Sequence, residues 1–156
     1  MIPWYMSNPY INKSKTNYWG TPQHILDKYT GWFDPAPYPK PLWDGLTTDW
    51  LHKKKIYVNP PYDNISPWAK KCAGTLLFAQ EQGVPIEIHL LIPVRTDTKY
   101  FHEYIFPYCT LKFIKGRLKF GEGKNSAPFP SAVVVFDGDK PKYDRAKPQV
   151  FGTMQK

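Results

Sequence analysis

The residues best suited to chemistry stand together in Asn59-Pro60-Pro61-Tyr62. They follow a short apolar run, Lys55-Ile56-Tyr57-Val58, and precede Ser66-Pro67, a pair that suits a helix start. Prolines neither donate to a strand ladder nor continue a central strand, so the segment is a stiff turn at a strand's carboxyl end. The Asn59 side-chain oxygen and the Pro60 carbonyl can accept two hydrogen bonds from one planar NH2 group. Tyr62 can stack on the flat system that bears the amine. Accepting both protons draws the nitrogen toward a pyramidal geometry and frees its lone pair for attack, with no strong base needed beforehand. Out of context the same four residues make an ordinary surface turn. The strand before them and the helix after them favour the chemical reading.

The elements that must position this turn are legible in outline. Thr21-Pro22 places a capping hydroxyl and a proline at a helix start; Ile25, Leu26 and Tyr29 then share a face, and Gly31 can end the helix. Ser66-Pro67 repeats the device. Trp68, Ala69, Cys72, Leu76 and Ala79 follow Ile65 at spacings of 3, 4, 7, 11 and 14, and Gly83 closes the helix. A weaker helix spans Thr98 to Ile105, before Pro107. Strands are expected at Trp32-Phe33-Asp34, Lys55 to Val58, Ile86 to Ile92, Thr110 to Ile114 and Ser131 to Phe136. Ala132-Val133-Val134-Val135-Phe136 reads as a strand covered on both faces. Strands alternating with helices predict an α/β fold with a mostly parallel sheet and an antiparallel edge hairpin, its ligands beyond the carboxyl ends of the strands.

Composition fits one globular domain over residues 1–156, with an irregular start over 1–18 and a loose tail over 137–156. Lys plus Arg number 21 against 13 Asp plus Glu, a net charge of +8, which favours a polyanionic partner. The 6 Trp, 11 Tyr and 9 Phe supply a core and also faces for unstacked bases. No apolar run reaches the ~20 residues that span a bilayer. Met1 to Asn12 lacks the basic-then-apolar pattern of a signal peptide. Cys72 and Cys109, with four scattered histidines, make no metal-ligand spacing and read as reduced thiols of a cytoplasmic protein. Lys112, Lys115, Arg117, Lys119 and Lys124 face a single Glu122, and the loop from Lys115 to Pro130 reads as a mobile basic hairpin.

The Asn-Pro-Pro-Tyr turn resembles the catalytic motif of amino methyltransferases that use S-adenosyl-L-methionine. From about Trp19 to Phe136 the chain resembles the phage DNA N-6-adenine-methyltransferase family, a small Dam-like group. Five blocks carry the resemblance: Trp19-Gly20-Thr21-Pro22; Phe33-Asp34-Pro35-Ala36; Asp44-Gly45-Leu46 with Asp49-Trp50; Tyr57 to Tyr62; and Pro93-Val94-Arg95-Thr96-Asp97-Thr98 with Gly116-Arg117-Leu118-Lys119-Phe120-Gly121.

The resemblance implies a minimal Rossmann-like methyltransferase fold. It implies transfer of a methyl group to the N6 amine of adenine in DNA, with the base flipped out of a duplex or taken from a single strand. Asn59, Pro60, Pro61 and Tyr62 form the catalytic turn. Trp19, Thr21 and Pro22 contact the cofactor's methionine end. Asp34, with Pro35 and Ala36, meets its ammonium, directly or through water. Asp44 and Leu46 meet its adenine, with Asp49 as competitor to Asp44, and Asn59 also borders the cofactor. Arg95 and Thr96, with Lys115, Arg117, Lys119 and Lys124, meet DNA. No metal and no membrane is implied; the place of action would be the cytoplasm, a bacterial host's if a phage encodes the chain. The sequence departs from the family in two ways: no glycine follows Asp34 until Gly45, and no acid for the ribose hydroxyls is identifiable between Tyr38 and Trp43. The same turn suits a glutamine side-chain amide in a protein, or an RNA amine. The poor cofactor loop also fits an inactive DNA-binding relic. Little chain remains for target recognition, so short or relaxed sequence specificity is expected.

Overall fold

A computed structural model of the chain describes residues 20–120 and 126–139. Four strands form one sheet: β1 (Lys55–Val58), β2 (Glu87–Pro93), β3 (Thr110–Phe113) and β4 (Ser131–Asp137), in spatial order β1-β2-β4-β3. Among the described residues two α-helices flank it, α1 (Gln23–Leu26) and α2 (Ile65–Gln82). A 3-10 turn over Asp27–Tyr29 extends α1, and a π-helical turn spans Phe101–Ile105, inside the helix expected there.

The sheet is mixed, and mostly antiparallel. β1 and β2 are parallel, whereas β4 runs antiparallel to both β2 and β3. The expectation of a mostly parallel sheet is therefore corrected. β3 points the same way as β2, yet β4 lies between them, so the two never pair. The apolar run in β4 reports two covered faces, and burial is the same for either strand direction. Six of seven residues are buried in each of β2 and β4, the half-buried ones being Glu87 at the start of β2 and Asp137 at the end of β4. β3 is an edge strand, with Lys112 and Phe113 open to solvent.

The strand expected at Trp32-Phe33-Asp34 shrinks to one parallel bridge, Phe33 to Ile56. There the Phe33 amide donates to Lys55 at 3.0 Å, and the Tyr57 amide donates to Phe33 at 2.9 Å. The prolines on either side of Ala36 explain the stop: they bring no donors to a longer ladder.

Both sheet faces are covered, in three layers. On one face α2 lays Trp68, Ala69, Cys72, Leu76 and Ala79 against Ile56, Ile88, Leu90, Val134 and Phe136. On the other, Ile25, Leu118, Phe120 and Ala127 pack over Tyr57, Leu91, Val133 and Val135. Gly83 ends α2 in the left-handed conformation (φ 68°), as its position predicts, and its amide meets the Ala79 and Gln80 carbonyls.

Neither predicted hydroxyl cap forms. Asn64 precedes α2, leaving Ser66 and Pro67 inside the first turn, where proline is tolerated. Pro22 precedes α1 and the Thr21 hydroxyl turns away from the helix. β4 includes Asp137, and Gly138 donates to the Ile86 carbonyl at 2.9 Å, so the sheet reaches into the stretch assigned by composition to the tail. Residues 1–18, Trp19, Glu122, Lys124, Asn125 and the remaining tail lie outside the described residues.

Candidate active site

Because β1, β2 and β3 run in one direction, their carboxyl ends fall along one edge of the sheet. From that edge emerge the Asn59–Tyr62 turn, the segment beginning at Arg95, and the loop starting at Lys115. The last two are tied together: the Val94 amide donates to the Pro130 carbonyl at 2.9 Å.

Asn59 is buried, 5% exposed. Its Nδ2 donates to Thr21 Oγ1 at 3.0 Å, and Thr21 Oγ1 lies 2.9 Å from the Tyr57 hydroxyl. Tyr57 and Asn59 sit two apart along the chain and so share a side, which is how one threonine reaches both. Burial pushes the Tyr57 phenol far above its ordinary range, and the nearby charge of Asp34 adds to the rise. Asp34 follows the Phe33 bridge. Its Oδ1 accepts from the Ala36 amide at 2.9 Å, yet burial outweighs that bond and pushes its carboxyl up to about 6.

This elevation has a testable consequence. A carboxyl raised in the folded state binds its proton more tightly there than in the unfolded chain. Its contribution to stability is therefore complete below the ordinary carboxyl range and is lost as pH rises through about 6. The stability of the wild type relative to Asp34→Asn is expected to decline between about pH 4 and about pH 7 in urea unfolding. A flat difference across that interval would show the carboxyl to be unperturbed.

Beside the turn lies a cleft of about 790 Å³, lined among others by Tyr38, Trp43, Asp44, Leu46 and Pro61. Asp44 is held by its own turn, Oδ1 accepting from the Leu46 amide at 2.9 Å. Asp49 lines a different groove, with Leu51, Lys70 and Lys71, and its carboxylate is engaged by the Leu51 amide and His52. Between Asp44 and Leu46, Gly45 packs on Pro35. Its carbonyl accepts from Thr48 Oγ1 and Trp50 Nε1, both at 2.8 Å. The Pro35 that follows Asp34 thus becomes one wall of the cleft, and Pro61 another.

Tyr62 lies at the seam of the two cores. Its ring meets Phe129 edge-on at 5.5 Å and Phe120 at 6.0 Å. Its hydroxyl is buried with no hydrogen-bond partner among the described residues, and burial pushes that phenol well up. Over it, Arg117, Leu118, Lys119 and Phe120 alternate: cations outward, apolar side chains inward. Lys119 bridges Ser126, and the Ala127 amide donates to Leu118 at 2.7 Å. The expected mobile hairpin is, in its described part, a packed one with an exposed basic outer side. Arg95, Thr96 and Lys115 are exposed as well. The Thr96 carbonyl accepts from His102 Nε2 at 2.6 Å, and the Arg95 carbonyl from Thr98 Oγ1 at 2.7 Å.

Thus the structure gathers Thr21, Asp34 and Asn59 around Tyr57, and Pro35, Asp44, Leu46 and Pro61 around the cleft. Ala36 and Pro22 are buried beneath these groups. Arg95, Thr96, Lys115, Arg117 and Lys119 stand on the outer side of the same edge. Sequence reading missed Tyr57 and the group behind it. Tyr57 and His89 are register partners on adjacent strands. The Tyr57 ring stacks on Tyr29 at 4.3 Å. The Tyr29 hydroxyl is 2.9 Å from His89 Nδ1, and His89 Nε2 is 2.8 Å from Glu87. Desolvation lowers the His89 pKa despite Glu87, so the ring is neutral at pH 7. A carboxylate only accepts, hence Nε2 carries the proton and Tyr29 donates to Nδ1. The alternation of Tyr57 with Val58 and Asn59 was the available signal.

Among the described residues no cluster of His, Cys, Asp or Glu could hold a metal, and no helix is long and apolar enough to cross a membrane. A buried amide thus stands at a strand end, in a turn whose Pro61 lines a cleft, with exposed cations on the same edge of the sheet. The family comparison narrows this. A family model described as DNA N-6-adenine-methyltransferase (Dam) matches residues 9–141, and the chain belongs to that family. Neither a curated protein nor a solved structure matches it. Family membership supports methyl transfer to the N6 amine of adenine in DNA, with S-adenosylmethionine as the usual methyl donor of such enzymes.

Proposed function

We propose that the chain transfers the methyl group of S-adenosyl-L-methionine to adenine N6 by direct displacement, on a minimal Rossmann-like fold, at sites of short or relaxed sequence. The observation that carries this reading is the buried Asn59 amide, which donates to Thr21 from a turn whose Pro61 lines the cleft. Asn59 Oδ1 and the Pro60 carbonyl accept the two amine protons, while Pro61 stiffens the turn and the Tyr62 ring borders the base. The residues present fit the cofactor. In this reading Asp44, in the cleft, takes the purine amine, and the Asp34 carboxyl gains its full charge beside the ammonium. When bound, the cofactor supplies the electrophilic methyl carbon; the protein holds the amine, excludes water and orients the lone pair.

Methyl-labelled S-adenosylmethionine incubated with unmethylated DNA, followed by digestion to nucleosides, tests the reading. Label in N6-methyladenine is expected. Label on protein instead would move the acceptor to a glutamine amide, and absence of both label and cofactor binding would leave only a DNA-binding module.

The basic outer side carries the DNA contact in this reading. Arg117→Ala and Lys119→Ala are each expected to lower DNA affinity without regard to sequence. Each should also reduce the salt dependence of binding by about one released counterion. Measured slopes that match the wild type would place the DNA elsewhere.

A further inference from the structure

From the rings that line the cleft beside Pro61 we infer that Trp43 is the stacking platform for the cofactor's purine, with Asp44 beside it as the reader of the amine. This deepens the proposed function and rests on its choice of cofactor.

The first observation is exposure. Among the described residues five large hydrophobic side chains are exposed, and three of them, Tyr38, Leu42 and Trp43, fall within six positions. All three line the same cleft. Single exposed apolar groups need no explanation, but a concave cluster of them marks a ligand site. The cleft volume, about 790 Å³, suits a small molecule.

The second observation is rigidity. Pro35, Pro37, Pro39 and Pro41 alternate along the segment, and each fixes its own φ. The Trp43 ring lies nearly parallel to Phe33, at 19° and 6.2 Å between centroids, an offset stack. Phe33 is pinned in turn by its two bonds to β1, and Lys53 Nζ lies 4.8 Å over its ring. Trp43 thus has a firm support, yet it remains 43% exposed. A ring held in place beforehand loses little freedom when a flat ligand covers it. Tyr38 ties the cleft to the proposed catalytic turn. Its ring packs on Gly20, where a Cβ would meet Cδ1 at 3.4 Å, and Thr21 follows.

The chemistry of the lining selects the ligand. Prolines and rings give flat apolar faces, which suit a flat heteroaromatic group. Asp44, the next residue, adds the polar mark. It is exposed, and Oδ1 accepts from the Leu46 amide, which fixes the carboxylate while leaving it room for further donors. An ionised carboxylate only accepts, so it takes an exocyclic amine and opposes a carbonyl. A stacked plane bearing an amine is adenine rather than hypoxanthine or guanine. No glycine lies between Asp34 and Gly45 to let backbone approach a ligand, and side-chain rings take that part here.

S-Adenosylhomocysteine, which carries the purine and no methyl group to transfer, is the probe. Its binding is expected to quench indole emission in the wild type. Trp43→Phe should lose most of that quenching while its Kd, by calorimetry, stays within about threefold, because a ring remains. Trp43→Ala should raise the Kd at least about tenfold, the scale of one base–aromatic stack. Adenosine should bind the wild type at least about tenfold more tightly than inosine. Asp44→Asn can donate to a carbonyl and should narrow that preference.

A Kd for Trp43→Ala within about twofold of the wild type would overturn the inference, as would quenching that persists in Trp43→Phe. So would absence of probe binding by the wild type. A single-stranded deoxyadenosine oligonucleotide that quenches Trp43 where the probe does not would give the platform to DNA and overturn it too. If DNA is methylated while both Trp43 variants bind and quench as the wild type does, the inference falls and the proposed function stands. Trp43-dependent binding in a protein that does not methylate DNA would uphold the inference and refute the proposed acceptor.

Discussion

Replacing Asn59 by alanine is expected to slow methyl transfer by about 10³-fold, the scale seen when one positioned polar group is lost from a transition state. The substituted chain would still hold the amine through the Pro60 carbonyl alone. One acceptor cannot draw both protons, and the nitrogen lone pair stays delocalised in the ring. Cofactor binding should hold within a few fold, since Asp34, Asp44 and the cleft remain. The loss of one side-chain hydrogen bond to Thr21 costs about 1 kcal/mol of stability, small beside the effect on rate. Single-turnover kinetics beside cofactor calorimetry would separate the two effects. Transfer within tenfold of the wild type would remove Asn59 from the chemistry.

The second large effect is structural. A Cβ added at Gly45 would lie 1.7 Å from the Pro35 carbonyl oxygen and 3.0 Å from the Trp68 ring. Backbone on one side and the α2 core on the other leave no direction of relief. Gly45→Ala is therefore expected to cost about 3 kcal/mol or more, at the upper end of overpacking penalties. For a domain of this size that lowers the melting temperature by roughly 6–12 °C. Pro35 and Gly45 wall the same cleft, so cofactor affinity should fall along with stability. Gly74 offers a control: a Cβ there meets nothing within 4 Å, and alanine suits the interior of α2. A Gly45→Ala protein that melts like the wild type would mean that the Asp44 turn moves freely from Pro35.

Local signals served the reading of the sequence well where the local chain decides the outcome. β1 begins and ends where its composition indicates, and Gly83 stops α2. Two of the misreadings share one cause, a distant partner. Thr21-Pro22 has the composition of a cap, but two buried groups 36 and 38 residues away claim the hydroxyl. The apolar run of β4 says that both faces are covered and is silent on direction. That is settled by its insertion between β2 and β3. For the site, the Asn59–Tyr62 turn was legible because prolines leave few conformations. Tyr57 was not, since a buried tyrosine reads as core until its hydroxyl partner is seen.

The placement of β4 also governs how the molecule can be made. β2 is complete by Pro93, but its second neighbour begins only at Ser131. Until that stretch leaves the ribosome, β2 has one open flank and β3 has no strand to pair with. Contacts this far apart in sequence close slowly. During synthesis the nascent chain therefore carries two unsatisfied, largely apolar strand edges, a state prone to association with other chains. Its maturation hinges on the arrival of Val133, Val134 and Val135.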